Sequence, residues 1–296
     1  MTDNTILALS AGRTSIEVWT LGARLNAATW DGDTGLVDGA ASVDEALGPK
    51  LNHGSVAGPV ANRIAGGSAE IDGKVYDFEK NENEKTLLHT GSKSTRDAIW
   101  RVAEQFDDSA RLTLARRRLQ DGFPGNRRIE ARYSVTDEGF DLTFKATSDA
   151  PTLMNLALHP YWTLGRARDD LLLHLSADTY LPVNADKIPT GAVDLVDNSI
   201  FDLRAPRRAS PDIDHNFCLP GTGAIDHVAS LRTDRLRLDI ETDAPGLQVY
   251  TGNPSGIALE PQHWPDAPHH PAFPSILLSP GEVYRQTSRY RFSRPA

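Results

Sequence analysis

The chain has 296 residues, of which 39% are hydrophobic and 24% charged, ordinary globular usage that excludes global disorder, a collagen-like fibre and a coiled coil. Its 31 Lys plus Arg stand against 40 Asp plus Glu, a formal net charge of -9, which repels phosphate backbones and anionic lipid, so neither nucleic acid nor a membrane is expected as a partner. One cysteine, Cys218, excludes an intrachain disulfide, and the start MTDNTILALSAG has too short an apolar stretch for a signal peptide, so a cytoplasmic location is expected.

In chain order, Ile16 and Val18 flank Glu17 with the period of a strand that buries one face. Ser42 to Leu47 reads as one short helical turn. Asp72-Gly73 marks a hairpin, and Asp121-Gly122 and Pro124-Gly125 mark further turns. The run Arg116 to Arg118, with Arg127 and Arg128, reads as a solvated sheet surface. Two long alternations follow: Ile129, Ala131, Tyr133 and Val135 are separated by polar residues, and after Glu138-Gly139 so are Phe140, Leu142, Phe144 and Ala146. Leu236, Leu238 and Ile240 repeat the pattern. No long stretch has a helical period, and the 23 Gly and 19 Pro are scattered, so no linker or repeat divides the chain. The expectation is one all-β domain over residues 1–296, a large antiparallel β-sandwich with few short helices.

Five segments carry groups that chemistry can use. In NLALHPYWTLG, residues 155–165, period two puts Asn155, Ala157, His159 and Tyr161 on one face of a strand and Leu156, Leu158, Pro160 and Trp162 on the other. The second face suits a core and the first a polar cleft, although a histidine satisfied within a sheet fits the same pattern. In GIALEPQHWPD, residues 256–266, Glu260 closes an apolar strand that Pro261 is expected to end, which puts the carboxylate near a sheet rim. A structural ion pair is the alternative there. Asn62 and Arg63 precede a glycine pair in GPVANRIAGG, and His89 precedes a turn in TLLHTG. Asp214, His215 and Asn216 crowd together in DIDHNFCLPG, where an Asx-type turn leading into a strand is the plain reading.

Nine histidines raise the question of a metal, yet neither HExxH nor paired Cys/His spacing occurs. Adjacent His269 and His270 would point opposite ways on a strand, so no metal site is expected. GxSxG, GxGxxG and GxxxxGK[ST] are also absent. Cys218 reads as a small buried hydrophobe rather than a nucleophile.

Taken together and in order, these segments resemble the aldose 1-epimerases, or galactose mutarotases. GPVANRIAGG is similar to the family's Asn-Arg segment, LLHTG to its Leu-His-Gly segment and DGFPGN to its Gly-aromatic-Pro-Gly turn. NLALHPYWTLG matches its Asn-Leu-x-x-His-x-Tyr strand, DHNFCL its Asp-His-Asn-Phe segment, and ALEPQHWPDAPHHPAFPSILLSPGEVY its long closing region. The resemblance implies a β-sandwich of the galactose mutarotase type that interconverts the α and β anomers of a free aldose, with a monosaccharide as partner and no cofactor. It implies His159 as the general acid at the ring oxygen and Glu260 as the general base at the C1 hydroxyl. Arg63, His89 and Asp214, with Asn62 and Tyr161, would hold sugar hydroxyls. A nearby carboxylate is expected to raise the His159 pKa, with a bell-shaped pH profile as the consequence.

Two other readings use the same residues. A non-catalytic carbohydrate-binding protein would keep the sugar-holding groups without needing both His159 and Glu260. A relative acting on a phosphorylated hexose would want cations such as Arg166 and Arg168. Ala157, Leu158, Trp162 and Thr163 depart from the family's strand, and only nine residues separate Tyr250 from Glu260, departures that bear on the substrate more than on the reaction.

Overall fold

The computed structural model describes residues 4–295. Its largest sheet has eight strands in the spatial order Leu172–Leu175, Asp226–Arg232, Arg237–Thr242, Tyr284–Ser293, Gly139–Ser148, Arg127–Thr136, Ser109–Arg116 and Arg101–Gln105. A six-stranded sheet runs Tyr161–Trp162, Ile257–Gln262, Gly246–Tyr250, Asp214–Cys218, Thr179–Tyr180 and Asp194–Leu195, and three N-terminal strands, Ile6–Ala11, Thr14–Trp19 and Arg24–Trp30, form a meander.

The two long alternations are one antiparallel hairpin. Ile129, Ala131, Tyr133 and Val135 lie opposite Ala146, Phe144, Leu142 and Phe140 in register, and all eight are buried. Their apolar face packs with Phe217, Leu247, Val249 and Leu259 of the six-stranded sheet and Leu7, Leu9, Ile16 and Val18 of the meander. Each Leu, Val or Phe so buried contributes roughly 1.5–3 kcal/mol, and this shared core is what makes the layers a sandwich. Tyr133 joins it without leaving its hydroxyl unsatisfied, donating to the Ala23 carbonyl at 2.8 Å. The hairpin turns at Asp137 and Glu138, where Gly139 has φ of 150° and a Cβ would stand 1.9 Å from the Tyr290 carbonyl oxygen. Only glycine fits that approach.

The expected helical turn is the helix Val43–Ala46. Ser42 caps it, its Oγ accepting from Glu45 N at 3.2 Å while the Glu45 carboxylate accepts from Ala41 N at 2.6 Å, a variant of the capping box that reaches one residue further back than the cap. The loop that follows is wound around one guanidinium: buried Arg24 donates to the carbonyls of Ala46, Lys50, Leu51 and His53. Burial lowers the Arg24 pKa to about 10, and the ring of carbonyls is what keeps the cation tolerable there.

Two expectations are corrected by the fold. NLALHPYWTLG is not one strand: Ala157–Leu158 pairs with Val56–Ala57, whereas Tyr161–Trp162 pairs with Ala258 and Ile257 of another sheet. Pro160 has no N–H to offer a ladder, and the chain changes partners at it. Alternation nonetheless survives the break, because Leu156, Leu158 and Trp162 all reach the main core. The basic run is a solvated surface only in part: Arg117, Arg118 and Arg128 are exposed, whereas Arg127 is buried and bound to the buried carboxylate of Asp121 at 2.7 and 3.1 Å. Among the described residues, no helix is long and apolar enough to cross a membrane.

Candidate active site

One face of the six-stranded sheet belongs to the core, and the other forms the floor of a cleft. Register aligns Asn216, Gln248 and Glu260 in one transverse row, and Asp214, Tyr250, Ala258 and Tyr161 in the next. Directly opposed residues share a face, so these rows stand on the side away from Phe217, Leu247, Val249 and Leu259. Asp214–Cys218 is thus strand throughout, where its crowding suggested an Asx turn leading into one. The Glu260 strand also runs on through Pro261 to Gln262. The Pro261 carbonyl accepts from Gln286 Nε2 at 2.9 Å, outside the ladder, and the missing N–H faces the same way and interrupts no pairing. Glu260 therefore sits in mid-strand rather than at a rim, its side chain only 2% exposed.

The cleft above this floor has a volume of about 240 Å³, and His159, Glu260, Arg63, His89, Asp214, Asn62 and Tyr161 all line it. Asn52, Leu88, Gln248 and Tyr250 complete the wall. Gln248 and Tyr250 escaped notice although the alternation of GLQVY, with Leu247 and Val249 turned to the core, was there to be read. Asn52 lies in an irregular loop and left no periodic signal.

His159 Nε2 stands 3.3 Å from Glu260 Oε1. Burial pushes the Glu260 carboxyl well above the usual carboxylate range, with Asp214 adding to the rise and Arg63 opposing it. Burial pushes His159 down to about 3. The expectation that a neighbouring carboxylate raises His159 is thus reversed, because removal from water is the largest influence and His53, Arg96 and Arg24 add to the fall. Between those two limits the pair holds a single proton.

Asn62 and His89 are held against each other by a short ladder that pairs Arg63 with Leu88. Asn62 N donates to His89 Nδ1 at 3.1 Å, and His89 N donates to Asn62 O at 2.9 Å. Asn62, His89 and Thr90 have φ of 60°, 49° and 63°, left-handed backbone that costs a non-glycine residue roughly 1–2 kcal/mol. An Nδ1 that accepts a backbone N–H carries no proton, so the neutral ring keeps its hydrogen on Nε2. Burial, then His159, Arg96 and Arg63, lower the His89 pKa well below the ordinary value, so it stays a neutral donor.

Arg63 is gripped by Glu82, Nε to Oε2 at 2.7 Å and Nη2 to Oε1 at 2.8 Å, and its Nη1 lies 3.9 Å from Asp214 Oδ2. Burial works against this cation, but Glu82 and Asp214 outweigh it and raise its pKa. Asp214 is in turn oriented by Gln248 Nε2 at 2.8 Å. The main chain around Arg63 is pinned by buried Asp266, whose N donates to the Arg63 carbonyl at 3.1 Å and whose Oδ1 accepts from Ala65 N at 2.9 Å. His269 and His270 do not diverge as strand neighbours would: both imidazoles reach the Asp266 carboxylate, at 2.7 and 3.4 Å. Tyr161 packs 4.1 Å from the His53 ring and 5.1 Å from the His159 ring, and burial, with Glu260 beside it, raises its phenol pKa.

Other sequence candidates lie elsewhere. Asn155 clamps the His263 backbone at 2.9 and 3.2 Å. Arg166 faces Asp234 at 3.5 Å, and Arg168 donates to the Thr251 carbonyl at 2.9 Å; neither lines the cleft. Ala157 packs on Ala57 and Ala61, so the departures at Ala157, Leu158 and Trp162 are all turned away from the cleft. A larger groove, about 640 Å³, passes Cys218, Pro245 and Trp264; His263, Asp178 and Asp243 also line it without forming an imidazole–carboxylate contact like that of His159 and Glu260, and burial pushes the Cys218 thiol up to about 11.

Comparison with known proteins bears on the family and the fold. The family model described as aldose 1-epimerase matches residues 5–291. Galactose mutarotase of Homo sapiens is 33% identical over 87% of this chain and 84% of its own, and aldose 1-epimerase of Escherichia coli (strain K12) is 30% identical over 81% and 79%. Among solved structures, an aldose epimerase homologue from C. elegans superposes with a TM-score of 0.92 at 25% identity, covering 99% of this chain and 100% of that one. Galactose 1-epimerase from Lactobacillus acidophilus NCFM superposes at 0.86 and 25% identity, covering 97% and 93%. A match over nearly the whole sequence, joined to an antiparallel sandwich of the same shape, leaves one assignment: the chain belongs to the aldose 1-epimerase family.

Proposed function

We propose that this chain interconverts the anomers of a free, uncharged aldose, with His159 as general acid and Glu260 as general base. Opening a hemiacetal ring requires a proton delivered to the ring oxygen while another leaves the C1 hydroxyl. His159 gives its proton to the ring oxygen, Glu260 takes the hydroxyl proton, and the C1 aldehyde forms as the ring bond breaks. Rotation about C1–C2 presents the other carbonyl face. The C5 hydroxyl then attacks C1, returning its proton to His159 as Glu260 protonates the new C1 oxygen.

The observation that carries the reading is the 3.3 Å approach of His159 Nε2 to Glu260 Oε1 within the cleft. A pair with one proton is what two opposed transfers need, since it supplies an acid and a base together. Burial favours that proton on the carboxyl in the empty cleft, and this is also how the pair stands once the ring has opened. The resting arrangement therefore matches the one that faces the open-chain aldehyde.

An uncharged sugar is favoured because Arg63 is already answered by Glu82 and Asp214, leaving no spare cation for a phosphate. Anomer exchange followed by polarimetry or NMR tests the roles. Each positioned acid or base typically supplies ~10²- to 10⁴-fold, so Glu260→Gln and His159→Asn are expected to lose activity on that scale while remaining folded. Full activity in either variant overturns its assignment.

A further inference from the structure

Asn52 takes no part in the proton transfers, yet its surroundings fix it as a hydrogen-bond donor to whatever fills the cleft. Its Oδ1 accepts from Arg96 Nη1 at 2.7 Å. A guanidinium has only donors, so the oxygen must face Arg96 and the amide group must face away from it, which settles an orientation that is otherwise ambiguous. Arg96 cannot readily move aside, being buried and donating also to the Gly91 carbonyl at 3.4 Å.

The backbone at Asn52 is equally constrained. Its carbonyl accepts from both the N and the Oγ of Ser55, each at 3.1 Å. Its neighbours Leu51 and His53 both give their carbonyls to Arg24. Asn52 nevertheless lines the cleft and is only half-buried. Among the described residues, Nδ2 of Asn52 has no protein acceptor. The result is an amide N–H pair held in place from behind and free in front, the preorganisation that gives a hydrogen bond its selectivity.

We infer that Asn52 is a substrate-contacting specificity residue whose Nδ2 donates to the oxygen of one non-reacting sugar hydroxyl. The inference rests on the aldose reading above, in which the ring oxygen and the C1 hydroxyl are already taken by His159 and Glu260. Asp214 and Glu260 bring acceptors to the cleft, and a sugar hydroxyl that donates to one of those needs a donor for its own lone pair. Asn52 supplies one that can be matched or mismatched by the stereochemistry at a single carbon.

The test compares wild type with Asn52→Ala on glucose, galactose and their monodeoxy derivatives, reading kcat and KM for anomer exchange and Kd by calorimetry. For sugars that carry the matched hydroxyl, Asn52→Ala is expected to weaken kcat/KM and binding by about 3- to 10-fold. For one monodeoxy sugar only, the ratio of wild type to variant is expected to fall to about one. An equal loss across every sugar, or no loss, overturns the inference. Asn52→Asp guards against misfolding, because it keeps the acceptor that Arg96 needs and removes the donor; it is expected to bind the matching deoxyfluoro sugar, whose fluorine can only accept, more weakly than wild type does. If wild type accelerates no exchange yet binds sugars with this single-position pattern, the catalytic reading fails and Asn52 stands. Wild type that binds no sugar overturns both.

Discussion

Replacing Glu260 by glutamine is expected to slow catalysis by ~10²- to 10⁴-fold and to stabilise the protein, by an amount that grows with pH. The folded chain keeps one proton on the His159–Glu260 pair, whichever member holds it, because burial raises Glu260 far above its ordinary 4.5. Unfolded, the same carboxyl is ionised above that value. A folded-state pKa raised in this way favours folding at low pH, and the advantage is lost as pH rises toward the folded value. Each pH unit is worth 1.36 kcal/mol for one proton, so between pH 5.5 and 7.5 wild type loses up to about 2.7 kcal/mol that Glu260→Gln, with nothing to titrate, does not. The His159 contribution is common to both proteins and cancels to first order. In a chain of this size 1 kcal/mol moves Tm by roughly 2–4 °C, so the Tm gap between variant and wild type should widen over that interval, by at most about 5–10 °C. Calorimetry of both proteins at pH 5.5, 6.5 and 7.5 measures it. A gap that does not change with pH, or that narrows as pH rises, refutes the one-proton pair.

The same pair sets the pH profile of kcat/KM. Activity should fall in acid when the pair takes a second proton and no base remains, and in alkali when it loses its only proton and no acid remains. Because His159 is pushed down to about 3, the acid limb should lie well below the ordinary imidazole range; a limb centred near pH 6.5 contradicts that. Glu82→Gln removes the charged half of the Arg63 clamp, and since a charge-assisted hydrogen bond is worth about 1.5–3 kcal/mol, KM should rise by ~10-fold or more with kcat much less affected. An unchanged KM would show that Arg63 holds its place without Glu82. Arg24→Met leaves the buried Ala46 and His53 carbonyls without a donor, each costing about 1–3 kcal/mol, while those of Lys50 and Leu51 keep His53 N and Ser55 Oγ. Urea denaturation should then report a loss of at least ~2 kcal/mol, whereas a loss below ~1 kcal/mol would mean that water reaches them.

Legibility in the sequence followed the reach of the physics. The hairpin of Ile129 to Ala146 could be read residue by residue, because side-chain alternation is a property of the strand backbone itself. The site residues were individually ambiguous: His159 and Glu260 each fitted a structural role, and only their ordered company with Arg63, His89 and Asp214 suggested that they share one site. What stayed hidden depended on distant neighbours. Nothing local tells that Pro160 marks a change of sheet, that Pro261 lies inside a strand, or that Asp266 gathers both His269 and His270. The direction of the His159 shift was misjudged for the same reason, since a carboxylate nearby can be read from a motif but removal from water cannot. Arg127, read as a surface charge, is likewise explained only by Asp121 folding over it.

The transverse rows across the six-stranded sheet have a further consequence. Neighbouring strands are spaced about 4.8 Å apart by their backbone hydrogen bonds, and Asp214 and Glu260 stand on strands separated by one other and in adjacent rows, so the backbones that carry the two carboxylates are gauged at roughly 12 Å, two spacings across and two residues along. That gauge belongs to peptide geometry and cannot be stretched by exchanging side chains in the core. A descendant of this chain that turned to a different sugar would keep the span and alter what grips the ends, in the loops that carry Asn52 and His89.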